Sequence, residues 1–324
     1  MANAAFRGLQ KLYRRTHHSA IRGLNALGLN VARTSDFYSA MPVLSELRAS
    51  RHLWDRPSDL VGVRYDLESM EERLSRLLAG YGEEYAALPS YEDNKKISIG
   101  PGFTIVDAMV LYMMIRDIKP RRYLEIGSGF STYYSWLAVE ENRKEGVDCE
   151  FRVVDPFPRE RLKQLPGVEV VAARAETVDL EYFTNLEAGD VLFIDTTHIL
   201  KIGGECAFLY LEVIPRLAPG VTIHAHDISF PYNTPYPADT YIFEAKWPRY
   251  FTEMMIIQAF LAFNREFEIT LSTPIIRAFD ESFLEATIPD YRKVEIEDYD
   301  THHSSLWMKR LAPGGPAVSD APAG

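Results

Sequence analysis

From Arg122 to Tyr134 the chain reads R-Y-L-E-I-G-S-G-F-S-T-Y-Y. A short apolar run of Tyr123, Leu124 and Ile126 ends at Gly127-Ser128-Gly129. An apolar-patterned stretch begins at Ser131, which predicts strand, tight turn and helix. Residues without Cβ let main-chain N–H groups come close to a bound molecule, so the joint suits a nucleotide-like ligand. Thr132 stands where the dinucleotide fingerprint carries its third glycine, which argues against a nicotinamide cofactor. Glu125 sets a carboxylate at the strand end, matched to an ammonium group rather than a phosphate. The stretch favours a zwitterionic ligand.

The flanking chain supplies the rest of a strand-and-helix alternation. Asp66 predicts the N-cap of a helix with Leu67, Met70, Leu74, Leu77 and Leu78 on one face, ended by Gly80. A second apolar helix from Ile105 to Ile115 stops at Lys119-Pro120 and delivers the chain into the central strand. Further strands are predicted from Phe151 to Val154, closed by Asp155-Pro156, from Val168 to Ala173, from Val191 to Asp195, from Val221 to Asp227 including its end, from Phe267 to Ser272 and from Ser304 to Lys309. Helices are predicted from Ser131 to Glu140, Leu209 to Leu217 and Trp247 to Phe263, with an insertion from Asp280 to His303. The rhythm implies an α/β fold: a doubly wound, Rossmann-like, seven-stranded and mostly parallel sheet with helices on both faces. Residues 1–99 are expected as an N-terminal helical extension, 100–311 as the α/β domain, and the Ala-, Pro- and Gly-rich 312–324 as a disordered tail.

Charge narrows the partners. The net charge is −11, yet residues 1–35 carry six arginines and lysines and no acid, so removing that segment leaves −17 on the remainder. An acidic body with no basic stripe excludes nucleic acid as the expected substrate. Three readings of the cationic, amphipathic segment from Phe6 to Leu27 stay open: an arm packed on the body or on a second subunit of a homo-oligomer, contact with a membrane surface, or a transit peptide. Cys149 and Cys206 are far apart and outside any C-x-x-C spacing, so a reducing, cytoplasmic setting is expected, without disulfide or zinc knuckle.

With Glu125, Gly127 and Gly129 spelling E-x-G-x-G at the end of the first strand, the sequence resembles the class I S-adenosylmethionine-dependent methyltransferases over roughly residues 100 to 310. The resemblance implies S-adenosylmethionine held by Glu125, Gly127, Ser128 and Gly129. It also implies a ribose on Asp155, at the end of the second strand, and the adenine near Ala175 and Glu176. In motif, Phe193-Ile194-Asp195-x-x-His198 with His226-Asp227 is similar to bacterial O-methyltransferases of sugars and natural products and to the cephalosporin hydroxylase and rhamnosyl methyltransferase group, some of which bind a divalent metal.

In an open α/β sheet ligands gather beyond the carboxyl ends of the strands where strand order reverses, so Glu125 to Gly129, Asp195 and His226-Asp227 are expected around one crevice. Methyl transfer to oxygen needs an aligned acceptor relieved of its proton. That relief can come from His198 as a base beside Asp195, or from a magnesium or manganese ion held by Asp195, His226 and Asp227. His224 is expected on the opposite face if the strand alternates regularly, and is left out of the site. The aromatic, proline-stiffened run from Ser229 to Pro237 is a candidate acceptor wall. The expected activity is O-methylation of a small hydroxylated acceptor. A hydroxylase-like relative, or a scaffold or membrane-associated protein with a vestigial pocket, is the alternative.

Overall fold

The computed structural model of the chain describes residues 19–29, 31, 34, 38–97 and 102–312. Of the basic segment, residues 19–26 are helical, while 6–18, like 98–101 and the tail 313–324, lie outside the described residues. The chain divides into two compact units, Met1–Leu53 and Trp54–Gly324. The first holds the short helix Leu44–Ala49, which buries none of its residues. Everything below concerns the second.

Its sheet has seven strands: β1 (Arg122–Ile126), β2 (Glu150–Val154), β3 (Val168–Val171), β4 (Val191–Ile194), β5 (Thr222–Ala225), β6 (Phe267–Ser272) and β7 (Leu306–Arg310). Their order is β3-β2-β1-β4-β5-β7-β6, and β7 alone runs antiparallel to its neighbours, as the class I methyltransferase resemblance implied. The order reverses between β1 and β4. Ile126 is level with Ile194 and Ile194 with Ala225, so the next residues, Gly127, Asp195 and His226, emerge side by side from the carboxyl edge. Their amides continue the ladder, Asp195 N–H donating to Ile126 C=O and His226 N–H to Ile194 C=O.

Two helices stack on the sheet. The Asp66 side chain accepts from the Ser69 N–H and caps α1 (Leu67–Ala86), an interaction worth about 1 kcal/mol. The helix does not end at Gly80. A mid-helix glycine costs about 1 kcal/mol relative to alanine, and the apolar face continues past it through Tyr81 and Tyr85, both packed on the core. Beneath lies α2 (Ile105–Ile118), buried almost all round, as expected of a helix enclosed by other layers. Its Arg116 keeps a buried charge tolerable by forking onto Glu84 at 2.6 and 2.9 Å.

Several boundaries differ from expectation. The helix after the glycine turn, α3, covers Phe130–Lys144. The apolar run from Trp247 is helical only over α4 (Glu253–Leu261), leaving Trp247 exposed. The residues after β6 continue directly into α5 (Thr273–Thr287), started by Pro274 and capped by Ser272, so the first third of the expected insertion from Asp280 to His303 belongs to this helix.

Candidate active site

The Gly127 turn is set by contact rather than by preference. Gly127 has φ +89°, and a Cβ there would fall 1.8 Å from the Asp195 carbonyl oxygen. Only glycine lets the ends of β1 and β4 close together. Thr132, the departure from the dinucleotide pattern, accepts from the Gly129 N–H at 3.1 Å and donates to Glu125 Oε1 at 2.8 Å, and Ser131 donates to the same oxygen. Glu125 is fully buried and its Oε2 has no partner among the described residues. Burial pushes its pKa up to about 8, against the pull of the two hydroxyls. The half-buried Asp155 follows β2, one oxygen taken by Ser128 Oγ and the other by the Phe157 N–H at 2.6 Å. Ala175, buried, and Glu176, half-buried, form a single 3-10 turn after β3.

Beyond β4 and β5 the histidines and aspartates expected there do meet. His198 Nε2 lies 3.3 Å from Asp195 Oδ1 and 3.3 Å from Asp227 Oδ2. Candidate ligand atoms of Asp195, His198 and Asp227 all lie within 4.8 Å of one another. The set differs from the expected Asp195, His226 and Asp227. His226 spends Nε2 on Asp107 at 3.1 Å, and its Nδ1 stands 3.5 Å from Asp195 and 3.9 Å from Asp227, unpartnered, at the margin of the group. The residue expected as a free base therefore stands among the ligand candidates, and the expected ligand stands beside them. His198 and Asp227 both adopt left-handed backbone, φ +58° and +56°, a conformation that costs about 1–2 kcal/mol in a residue other than glycine and recurs at functional sites.

Two acids that sequence reasoning missed hold the histidines. Glu253, fully buried at the start of α4, accepts from His198 Nδ1 at 2.8 Å and from the Tyr210 hydroxyl at 2.7 Å. The Thr252 and Glu253 amides also donate to the His198 carbonyl, so α4 clamps the residue from both ends. Asp107, fully buried in the first turn of α2, takes His226 Nε2, the Thr104 hydroxyl at 2.7 Å and the Ser304 N–H at 2.9 Å. Ser304 Oγ reaches Asp227 at 3.2 Å. Asp107 interrupts an otherwise apolar helical run, I-V-D-A-M-V, and that mismatch was the available signal, whereas Glu253 opens its helix, where an acid is ordinary and gave none.

The electrostatics follow. Burial alone would lower the His198 pKa, but Asp227, Asp195 and Glu253 override it and hold it at about 10. Burial is likewise overridden at His226, kept well above the usual range by Asp195, Asp227 and Asp107. Asp195, whose side chain keeps 26% exposure on the crevice floor, is held well below the usual carboxylate range by the two histidines. His224 is not on the opposite face from His226, since alternate strand residues share a face: the two rings lie 6.4 Å apart, and His224 stays outside the cluster because it stacks between Phe193 and Trp307 at 4.3 and 3.9 Å and is hydrogen-bonded to Ser305. Around the cluster stand Phe103 on His226, Phe251 on His198, and Tyr241, half-way between Phe251 and Tyr299.

Residues 124–228, about a third of the chain, match the family model described as a methyltransferase domain. The match falls on the part of the sheet that carries the Gly127 turn, Asp195 and His226-Asp227, and the strand order, with β7 antiparallel, is that of the class I methyltransferase architecture. An uncharacterized protein of Archaeoglobus fulgidus is 29% identical over 167 residues, 47% of this chain and 72% of that one. Among solved structures, the O-methyltransferase TomG of Streptomyces achromogenes, involved in tomaymycin synthesis and bound to SAM, is 12% identical, with 83% of this chain and 96% of that one covered and a TM-score of 0.40. The O-methyltransferase of Bacillus cereus in complex with SAH is 15% identical, with 83% and 100% covered and a TM-score of 0.38.

Proposed function

We propose that the chain transfers the methyl group of S-adenosylmethionine to the oxygen of a small hydroxylated acceptor, with a divalent cation such as magnesium or manganese held by Asp195, His198 and Asp227. The observation that carries this reading is the convergence of those three side chains beside the Gly127 turn, at the point where strand order reverses. The donor set fits a cation: two carboxylates and an imidazole, the outer nitrogen of that imidazole fixed by Glu253, the arrangement by which proteins orient metal-bound histidine. The unpartnered His226 Nδ1 offers a further donor at the margin. The donor side of the crevice also fits, since the unpartnered Glu125 Oε2 and the Asp155 carboxylate lie at the ends of adjacent strands.

When bound, S-adenosylmethionine supplies an electrophilic methyl and the cation supplies Lewis acidity. The chain's own part is to orient and to exclude water. Glu253 and Asp107 fix both imidazoles from behind, and Phe103, Phe251 and Tyr241 wall the cluster. The alternative in which His198 is an unaided base is less well supported, because its Nδ1 is taken by Glu253 and its Nε2 faces two carboxylates, Asp195 and Asp227, at 3.3 Å each.

The test is to strip the protein of metal, confirm this by elemental analysis, and assay methylation over sugars, phenols and polyketides. Turnover should be lost and return with magnesium or manganese, while binding of S-adenosylhomocysteine, read by thermal shift, should persist. Full activity of metal-free protein would overturn the cation, and transfer to nitrogen with hydroxylated acceptors inert would overturn the acceptor class.

A further inference from the structure

One half-buried guanidinium in the same region has no carboxylate in contact with it among the described residues, although Glu281 and Asp107 act on it at longer range. The two fully buried arginines among the described residues are paired, Arg116 with Glu84 and Glu145, and Arg152 with Glu150; of the half-buried ones that are not, Arg277 is the one whose backbone partner, His303, adjoins the cluster through Ser304. Arg277, on α5, has no carboxylate within ion-pair distance among the described residues. Its recorded partners are the His303 carbonyl, to which Nη1 donates at 3.3 Å, and the Tyr236 ring, 4.9 Å from its Cζ. Glu281, one turn further on, is engaged by Tyr291 and Lys293 instead. The side chain is half-buried, and burial depresses its pKa, so its charge is poorly solvated.

A desolvated cation without a counter-ion is costly to the folded chain, and a guanidinium keeps five N–H donors in a planar fork that matches carboxylate or phosphate. The guanidinium sits over the ring of Tyr236, itself stacked on Tyr232 at 4.3 Å, and both tyrosines come from the proline-stiffened run between Ser229 and Pro237. Through His303 the guanidinium adjoins Ser304, whose N–H and hydroxyl touch Asp107 and Asp227. We propose that Arg277 recognises the acceptor, and that the acceptor is a hydroxylated acid whose carboxylate or phosphate pairs with this guanidinium while its hydroxyl faces Asp195, His198 and Asp227. The acceptor role rests on the methyl-transfer reading; the anion site does not.

The two are separable by experiment. The full-length protein, loaded with S-adenosylhomocysteine, is titrated calorimetrically with 3,4-dihydroxybenzoate, with the matched amide 3,4-dihydroxybenzamide, and with inorganic phosphate. The acid should bind about 10- to 100-fold tighter than the amide, the range expected for a charged hydrogen-bonded pair. Arg277→Met should erase that preference, and Arg277→Lys, which keeps the charge but not the fork, should keep part of it. Displacement of the benzoate by phosphate marks a site that takes either anion, and failure to displace it marks a carboxylate site. Equal affinity for acid and amide, no binding of either anion, or an undiminished preference in a folded Arg277→Met protein would overturn the proposal. Acid binding lost in Arg277→Met, with methyl transfer to sugars or neutral phenols but to no hydroxylated acid, would overturn the acceptor role; the same binding result with no methyl transfer to any hydroxylated acceptor would leave the anion site standing and sink the methyl-transfer reading.

Discussion

Glu125→Gln probes the donor turn through its pH dependence. The Glu125 carboxyl titrates at about 8 in the folded chain against 4.5 when unperturbed, and burial is the cause. The folded state thus holds a proton that the unfolded state has released between these values. Its contribution to stability is full below about pH 4.5 and is lost as pH rises to about 8, after which the curve is flat. Each pH unit of that interval corresponds to 1.36 kcal/mol, so the whole loss is roughly 4–5 kcal/mol. Glutamine keeps an acceptor for the Ser131 and Thr132 hydroxyls and sets an amide where Oε2 has no partner, an unsatisfied donor costing about 1–3 kcal/mol. The variant should therefore be less stable than the parent at pH 5 and more stable at pH 9, with the two curves crossing between. Urea unfolding midpoints at half-unit steps from pH 5 to 9, without donor, measure this. A stability difference that stays constant across that range would refute the buried, protonated carboxyl.

Other perturbations bear on neighbouring contacts. Gly127→Ala drives a methyl into the Asp195 carbonyl and should cost at least about 3 kcal/mol of stability, with donor affinity lost even where the protein folds; denaturant unfolding and S-adenosylhomocysteine titration read the two effects. Thr132→Val removes a donor to Glu125 and the acceptor for the Gly129 N–H, so it should lower stability by about 1–2 kcal/mol and raise the Glu125 pKa further, moving the pH-dependent loss to higher pH. Glu253→Gln and Asp107→Asn leave the central carboxylates in place and loosen the histidines from behind; metal affinity should fall about 10- to 100-fold by titration, while S-adenosylhomocysteine affinity stays within twofold.

The fold was largely legible because it is written in local signals. Strand ends are marked by Asp155, Asp195 and Asp227, turns by Gly127 and Gly220, and the alternation of strand with helix restricts the sheet to few topologies. What failed was termination. Gly80 reads as a stop, but the helix runs six residues further to Ala86 because tertiary packing of Tyr81 and Tyr85 outweighs the local cost.

The site was legible only where it follows strand ends. Asp195, His198, His226 and Asp227 sit one to four residues past β4 or β5, so counting along a strand finds them. Asp107 and Glu253 come from helices whose starts are brought to the same edge by the chain path, and no spacing in the sequence links position 107 to 226 or 253 to 198. Yet these acids set the charge of the cluster. With Asp195 and Asp227 they make four carboxylates around two imidazoles, a cluster that two imidazolium charges or one divalent cation with neutral histidines would balance to the same extent. The chain thus carries charge sufficient to hold a cation and, without one, keeps the same frame together with protons on His198 and His226. Exchange of protons for a metal then requires little rearrangement, and it predicts that metal uptake releases protons.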